Sequence, residues 1–283
     1  MKRTTQIVFV ILVLIGSFQV QSQVSTVMSF NIRYDNKNDK ENWWHHRKEE
    51  VVQFITKYHP DFLGIQEGLY DQVVFIQQNL KEYNYIGFGR DDGYKKGEFT
   101  AIYYDTTKFE LIKSTTFWLS EKPDVVSVGW DASMERICTY GKFKNIKTNK
   151  FIHVFNAHFD HIGVQSQEMS AKVILSKIKE YCEDDAPIVV LGDFNCSPLS
   201  TPIQVLKSRL SDGQKISKTK PKGPVGTFNR FDVDVVPVKR IDYIFTSNVE
   251  VKAYAHLDDK RSNNLWISDH LPVLIKIKSI KTK

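Results

Sequence analysis

Leu191-Gly192-Asp193-Phe194-Asn195-Cys196 and, near the C-terminus, Trp266-Ile267-Ser268-Asp269-His270-Leu271-Pro272 set acid, amide or imidazole groups directly beside apolar runs. The end of a buried strand holds such groups rigidly at a sheet edge, which is where a catalytic constellation is best preorganised. Three earlier segments repeat the arrangement: Val27-Met28-Ser29-Phe30-Asn31, Phe62-Leu63-Gly64-Ile65-Gln66-Glu67 and Phe151-Ile152-His153-Val154-Phe155-Asn156-Ala157-His158. Polar tips on five buried strands, scattered along most of the chain, point to one shared site.

Around these segments, alternation of apolar and polar residues predicts strands over 24–33, 99–105, 108–119, 135–145, 150–158, 240–246 and 270–278. Helical spacing appears over 47–58, 71–80 and 165–182, with a further short helix after Pro198. The stretch from Asp212 to Asp234 contains Gly213, Pro221, Gly223, Pro224 and Gly226 and reads as a long irregular loop. Strands outnumber helices, and the helices are interspersed among them. No internal repeat or linker divides the chain, so one mixed α and β domain over 23–283 is expected, with enough apolar residues for one sizeable core.

The N-terminus carries Lys2 and Arg3, an apolar run from Ile7 to Ile15, and then Val20-Gln21-Ser22-Gln23, the order of a secretory signal. Residues 1–22 are therefore expected to be a signal peptide cleaved near Ser22 and Gln23, which places the mature protein outside the cytoplasm or in a periplasm. The alternative is a retained N-terminal helix. The apolar run is shorter than the roughly 20 residues a membrane anchor needs, and no later segment is apolar enough to span a bilayer.

The formal net charge is +6, and losing Lys2 and Arg3 makes it +4. That is mildly basic and unlike a polybasic nucleic-acid arm. Lysines at 215, 218, 220 and 222, and again at 276, 278, 281 and 283, read as a solvated loop and tail. Cys138, Cys182 and Cys196 are too few for a disulfide framework and lack the short-spaced partners of a zinc site, so they are expected to be structural thiols.

Six blocks stand in order: Ser29-Phe30-Asn31, Gln66-Glu67, Asn156-Ala157-His158, Gly192-Asp193-Phe194-Asn195, Arg240-Ile241-Asp242-Tyr243-Ile244 and Ser268-Asp269-His270. Over about Val24 to Lys278 the chain resembles the endonuclease/exonuclease/phosphatase superfamily of metal-dependent phosphoesterases, which includes deoxyribonuclease I. The resemblance implies an α+β, four-layered αββα sandwich, two packed and mostly antiparallel sheets with helices outside. The active site would lie at one edge.

The resemblance also implies roles. Glu67 would be the principal ligand of a magnesium or manganese ion, supported by Asn31 and Asp269, and such oxygen donors suit a hard cation. Asp242 would orient His270, and a buried carboxylate there would favour the imidazolium. His158 would contact the scissile phosphate and protonate the leaving oxygen, while Asp193 and Asn195 would place the attacking water. Whether Asp193 or His270 takes the proton of that water stays open. His153 alternates to the opposite face of its strand from His158 and reads as structural, and His161 reads as a loop residue.

Four further residues are candidates for substrate contact. Arg136 stands where family members carry a phosphate-facing arginine, although a salt bridge to Glu135 or another acid competes. Asn156 lies in the His158 block. Trp43-Trp44-His45-His46-Arg47 offers Trp44 and Arg47 for stacking a base or sugar, or else for stapling the following helix to the core.

The reaction expected is phosphoester hydrolysis by a monomeric enzyme. A nuclease acting on DNA or RNA leads the readings. A phosphatase or lipid phosphodiesterase acting on sugar, inositol or head-group phosphates is the alternative, and the modest charge suits a small ester best. A silent phosphate- or glycan-binding module has no need of two histidines and a metal site.

Overall fold

The structure, a computed structural model, describes residues 24–279; the expected signal peptide lies outside them. In chain order the elements are β1 (Val24–Asn31), α1 (Lys48–Tyr58), β2 (Phe62–Gln66), α2 (Tyr70–Asn79), β3 (Tyr83–Ile86), β4 (Ile102–Asp105), β5 (Phe109–Trp118) and β6 (Ile137–Asn145). They continue as β7 (Phe151–His158), α3 (Val164–Tyr181), β8 (Ile188–Asp193), α4 (Thr201–Lys207), β9 (Ser211–Asp212), β10 (Asp242–Ser247), β11 (Val249–His256) and β12 (Val273–Ser279).

The strands form two six-stranded sheets, ordered β11-β12-β1-β2-β4-β3 and β5-β6-β7-β8-β10-β9. Each is mixed: β1 with β2, and β7 with β8, run parallel at the centre, and the flanking pairs are antiparallel. The sheets pack face to face on Val27, Phe62, Ile102, Phe143, Val189, Leu191 and Ile275. A methyl on Gly64 of β2 would stand 2.1 Å from Leu191 Cδ1 and 2.8 Å from Asn156 Cγ, so glycine there lets the sheets meet.

The helices cover the outer faces. Val51, Phe54 and Ile55 repeat at helical spacing and bury α1 against Met28, Phe30 and Ile65. That helix ends at His59, whose left-handed φ of 42° and the following Pro60 forbid another turn. On the other side Ala171 and Ile174 of α3, with Ile203 and Leu206 of α4, cover Phe155, Val190 and Phe245. The result is the four-layered sandwich that the resemblance implied.

All four expected helices are present within one or two residues. Periodicity did not predict β3, β9 or β11, and β2 and β8 were legible only as apolar runs with polar tips. In β11 the register against β12 shifts between Val251 and Ala253, so a bulge interrupts the alternation that a periodic pattern needs. The expected strand at 240–246 begins at Asp242, and the irregular loop runs on to residue 241. All three cysteines are free thiols. Among the described residues no helix is long and apolar enough to cross a membrane.

Candidate active site

Strand register gathers the polar tips. In the parallel pair β7–β8, His158 stands opposite Asp193, and in the antiparallel pair β8–β10 Asp193 stands opposite Asp242. In the other sheet Asn31 of β1 pairs with Gln66 of β2. Glu67 and Asn195, each just past a strand end, adopt left-handed φ values of 61° and 50°. Residues forced into that region concentrate at functional sites, because the fold must hold them there.

Asn31 ties the two sheets together at this end. Its Nδ2 donates to Glu67 Oε1 at 2.9 Å and to Asp193 Oδ2 at 3.0 Å, setting the two carboxylates side by side. His270 Nδ1 hydrogen-bonds Asp242 Oδ2 at 2.9 Å, with both residues buried, and its Nε2 lies 3.8 Å from Asp193. His158 Nε2 approaches the same carboxylate at 3.6 Å. Asp193 is therefore the hub, flanked by both histidines.

Burial and charge set opposite protonation states on those histidines. Burial disfavours a cation at His270, yet the carboxylates of Asp242 and Asp193 outweigh it and hold the imidazole well above its usual range. Burial and the Arg136 guanidinium push His158 down to about 3. Burial, with the charge of Glu67, raises Asp269 to about 6 against the pull of His270 and Arg33.

Crowded carboxylates of this kind fit a divalent cation. Glu67 and Asp193 bring carboxylate oxygens within 4.8 Å of one another, beside the His270 ring. Arg33 Nη1 stands 3.8 Å from Glu67 and 3.9 Å from Asp269, one cation shared between two anions. Oxygen dominates this donor set, as a hard ion requires. Asn31, expected as a ligand, faces the carboxylates through its amide nitrogen.

A cavity of about 530 Å³ opens over these groups, lined among others by Arg33, Tyr34, Arg90, Glu98, Met134, Arg136, His161, Phe228 and Lys239. Its volume suits a small ligand. Beside His158 the wall carries Arg90, which donates to Glu98 at 2.7 Å and approaches Met134 Sδ at 3.0 Å. Phe228 packs on the His270 ring with centroids 4.9 Å apart.

Asn31, Glu67, His158, Asp193, Asn195, Asp242, Asp269 and His270 thus lie together at one end of the sheets, and Arg136 lines the cavity beside them. Arg136 also makes the competing salt bridge, to Asp160 rather than Glu135.

Three candidates for substrate contact lie elsewhere. Trp44 is 3 % exposed, packed edge-on against Phe75 in the core under α1 and α2. Arg47 is fully buried and donates to the carbonyls of Asn42, Ile32, Ile267 and Arg33 at 2.6–3.2 Å. Those acceptors lie outside the strands, so the guanidinium braces the segment that follows Asn31 and the one that precedes Asp269. Asn156, also fully buried, spends its amide across the sheet interface: it accepts from Gln66 at 2.6 Å and donates to the carbonyls of Ile65 and Ala101 at 2.8 and 2.9 Å.

Sequence reasoning passed over Arg33, Arg90, Phe228 and Lys239, and read His161 as a bystander. Arg33 lies just past the end of β1, in a left-handed turn that strand alternation does not describe. His153 is structural as expected, held by Tyr140 and Asp184 at 2.9 Å each.

Comparison with known proteins agrees with this geometry. A 36 % identical structure from Bacteroides thetaiotaomicron, an endonuclease/exonuclease/phosphatase family protein, superposes with a TM-score of 0.86 over 91 % of this chain and 95 % of its own. A mannosyl-6-phosphatase of the same organism, also 36 % identical, superposes with a TM-score of 0.85 over 89 % of this chain and 99 % of its own. A probable RNA exonuclease of Saccharomyces cerevisiae, NGL3, is 26 % identical over 59 % of this chain and 35 % of its own length. The profile of the Endonuclease/Exonuclease/phosphatase family matches residues 28–270, and with the converged site this establishes that the chain belongs to that family of phosphoester hydrolases.

Proposed function

We propose that this chain is a phosphomonoesterase of small sugar phosphates, releasing inorganic phosphate from a hexose 6-phosphate. The observation that carries the reading is the cavity of about 530 Å³, of a size for a small ester, with the Arg90–Glu98 pair and Met134 in its wall beside His158. A polynucleotide needs a groove that lets the chain leave on both sides of the scissile bond. The mannosyl-6-phosphatase relative, similar over nearly its whole length, supports the same choice. Burial of Trp44 removes one of the two adjacent tryptophans on which a nuclease reading would lean. The probable RNA exonuclease relative favours that second reading, but the chain covers about a third of its length.

Roles follow from position. Glu67 and Asp269, with Asn31 beside them, would hold a divalent cation, which supplies charge neutralisation at a phosphoryl oxygen. Asp193, between both histidines and next to Asn195, takes a proton from the attacking water. The water oxygen bonds phosphorus, and the bond from phosphorus to the sugar oxygen breaks with its electrons. That oxygen takes a proton from solvent, and Asp193 returns its own to solvent. His270, held at Nδ1 by Asp242, offers Nε2–H to a phosphoryl oxygen, and Arg136 and His158 face the same group. The charged start and apolar run of residues 1–22 support an exported enzyme.

The test is phosphate release by the purified chain with magnesium, on hexose 6-phosphates and on oligonucleotides of DNA and RNA. Faster turnover of the sugar esters is expected. Cleavage of internal nucleotide linkages with sugar phosphates untouched would overturn the reading in favour of a nuclease.

A further inference from the structure

Beyond β7 the chain turns through Phe159-Asp160-His161, and Asp160 is a buried anchor there. Its Oδ1 accepts the backbone N–H of Ile162 at 2.9 Å and of Gly163 at 2.7 Å. Its Oδ2 accepts the Ser133 backbone N–H at 3.1 Å, the Ser133 hydroxyl at 2.7 Å and Arg136 Nε at 3.3 Å. Asp160, held by these contacts, in turn holds Arg136 through Nε.

Arg136 leads on to His161. Arg136 Nη1 lies 3.2–3.3 Å from the His158 ring nitrogens, and Nη2 donates to His161 Nδ1 at 2.9 Å. A guanidinium never gives up its protons in a protein, so His161 Nδ1 must be the acceptor and its ring N–H sits on Nε2. His161 is exposed and lines the same cavity as Asp193 and His270. Of the five N–H groups a guanidinium carries, these contacts occupy three, leaving one on each terminal nitrogen. Two guanidinium donors and one imidazole donor are thus available on the wall next to His158.

A phosphomonoester presents three non-bridging oxygens and close to two negative charges, whereas a diester presents two such oxygens and a single charge. His270 and the carboxylate-bound cation serve the oxygens nearest Asp193. We propose that Arg136 and His161 form the subsite for the third, monoester-specific oxygen, so that His161 sets the preference for monoesters over diesters. This rests on the monoesterase reading above and assigns its selectivity to one residue.

A pair of aryl esters sharing one leaving group, p-nitrophenyl phosphate and methyl p-nitrophenyl phosphate, tests it. In His161→Ala the kcat/KM for the monoester should fall about 10- to 100-fold further than that for the diester, the worth of one charge-assisted hydrogen bond. Inhibition by inorganic phosphate should weaken in parallel, and His161→Gln, which keeps a side-chain N–H donor, should recover part of the ratio. A structural defect would lower both esters together. Equal losses on the two esters, or no loss, would overturn the assignment of His161 and leave the monoesterase reading intact. A wild type that favours the diester would overturn that reading, and this subsite with it.

Discussion

Replacing Asp242 with asparagine preserves shape and removes one charge. The carboxylate lies 2.9 Å from His270 Nδ1, and the two residues are 2 % and 4 % exposed. At an effective dielectric of about 20 a charge pair at that distance is worth roughly 6 kcal/mol, while Asp193, 3.8 Å away, supplies about 4. Most of the lost attraction is offset because a neutral imidazole no longer needs a counter-ion. What remains is lost orientation and a weaker donor to the phosphoryl group, which we place at about 3 kcal/mol, or a roughly 100-fold fall in kcat. Steady-state phosphate release by Asp242→Asn should show that fall, with KM within about threefold of wild type and cooperative melting retained. The double variant with His270→Ala should lose little more than either single change, because the two side chains act as one unit. Asp242→Asn turning over within about threefold of wild type would refute the pairing.

Trp44→Ala should lower unfolding free energy by about 3–5 kcal/mol in urea titrations while leaving relative rates on different esters unchanged; altered substrate choice would return this ring to the site. Arg47→Met removes the donors of four backbone carbonyls and should cost about 3 kcal/mol or more, and a variant as stable as wild type would show the brace is unnecessary. His256 is held by burial at about 4, below its unfolded value near 6.5, so the unfolded chain binds the proton first as pH falls. Its contribution is complete above pH 6.5 and is lost toward pH 4, about 3 kcal/mol in all, and urea midpoints of His256→Gln should therefore fall less steeply than wild type over that window; parallel curves would refute the assignment.

The parts of the site that were legible in the sequence share one trait. Asn31, Glu67, His158, Asp193, Asp242 and His270 all sit at or near the polar ends of apolar strands, where local pattern and three-dimensional position coincide. Trp44 and Arg47 mislead because burial is a tertiary fact. Arg47 donates to four carbonyls brought from three places, one of them Ile267, 220 residues away. Asn156 misleads for the same reason, since its partners Gln66, Ile65 and Ala101 belong to the opposite sheet. His161 was passed over because a histidine in a turn has no periodic signature, and only the anchoring of Arg136 by Asp160 shows what it faces. In β11 the bulge at Lys252 breaks the alternation, so that strand is visible only through its pairing with β12.

The carboxylates at this sheet edge are proposed to form a cation-assisted phosphoester hydrolase site. Phosphate release from a hexose 6-phosphate, followed with magnesium, then with excess chelator, then with magnesium restored, tests it most directly. Turnover that vanishes with the chelator and returns with the metal is the predicted result. Undiminished turnover in excess chelator would contradict it.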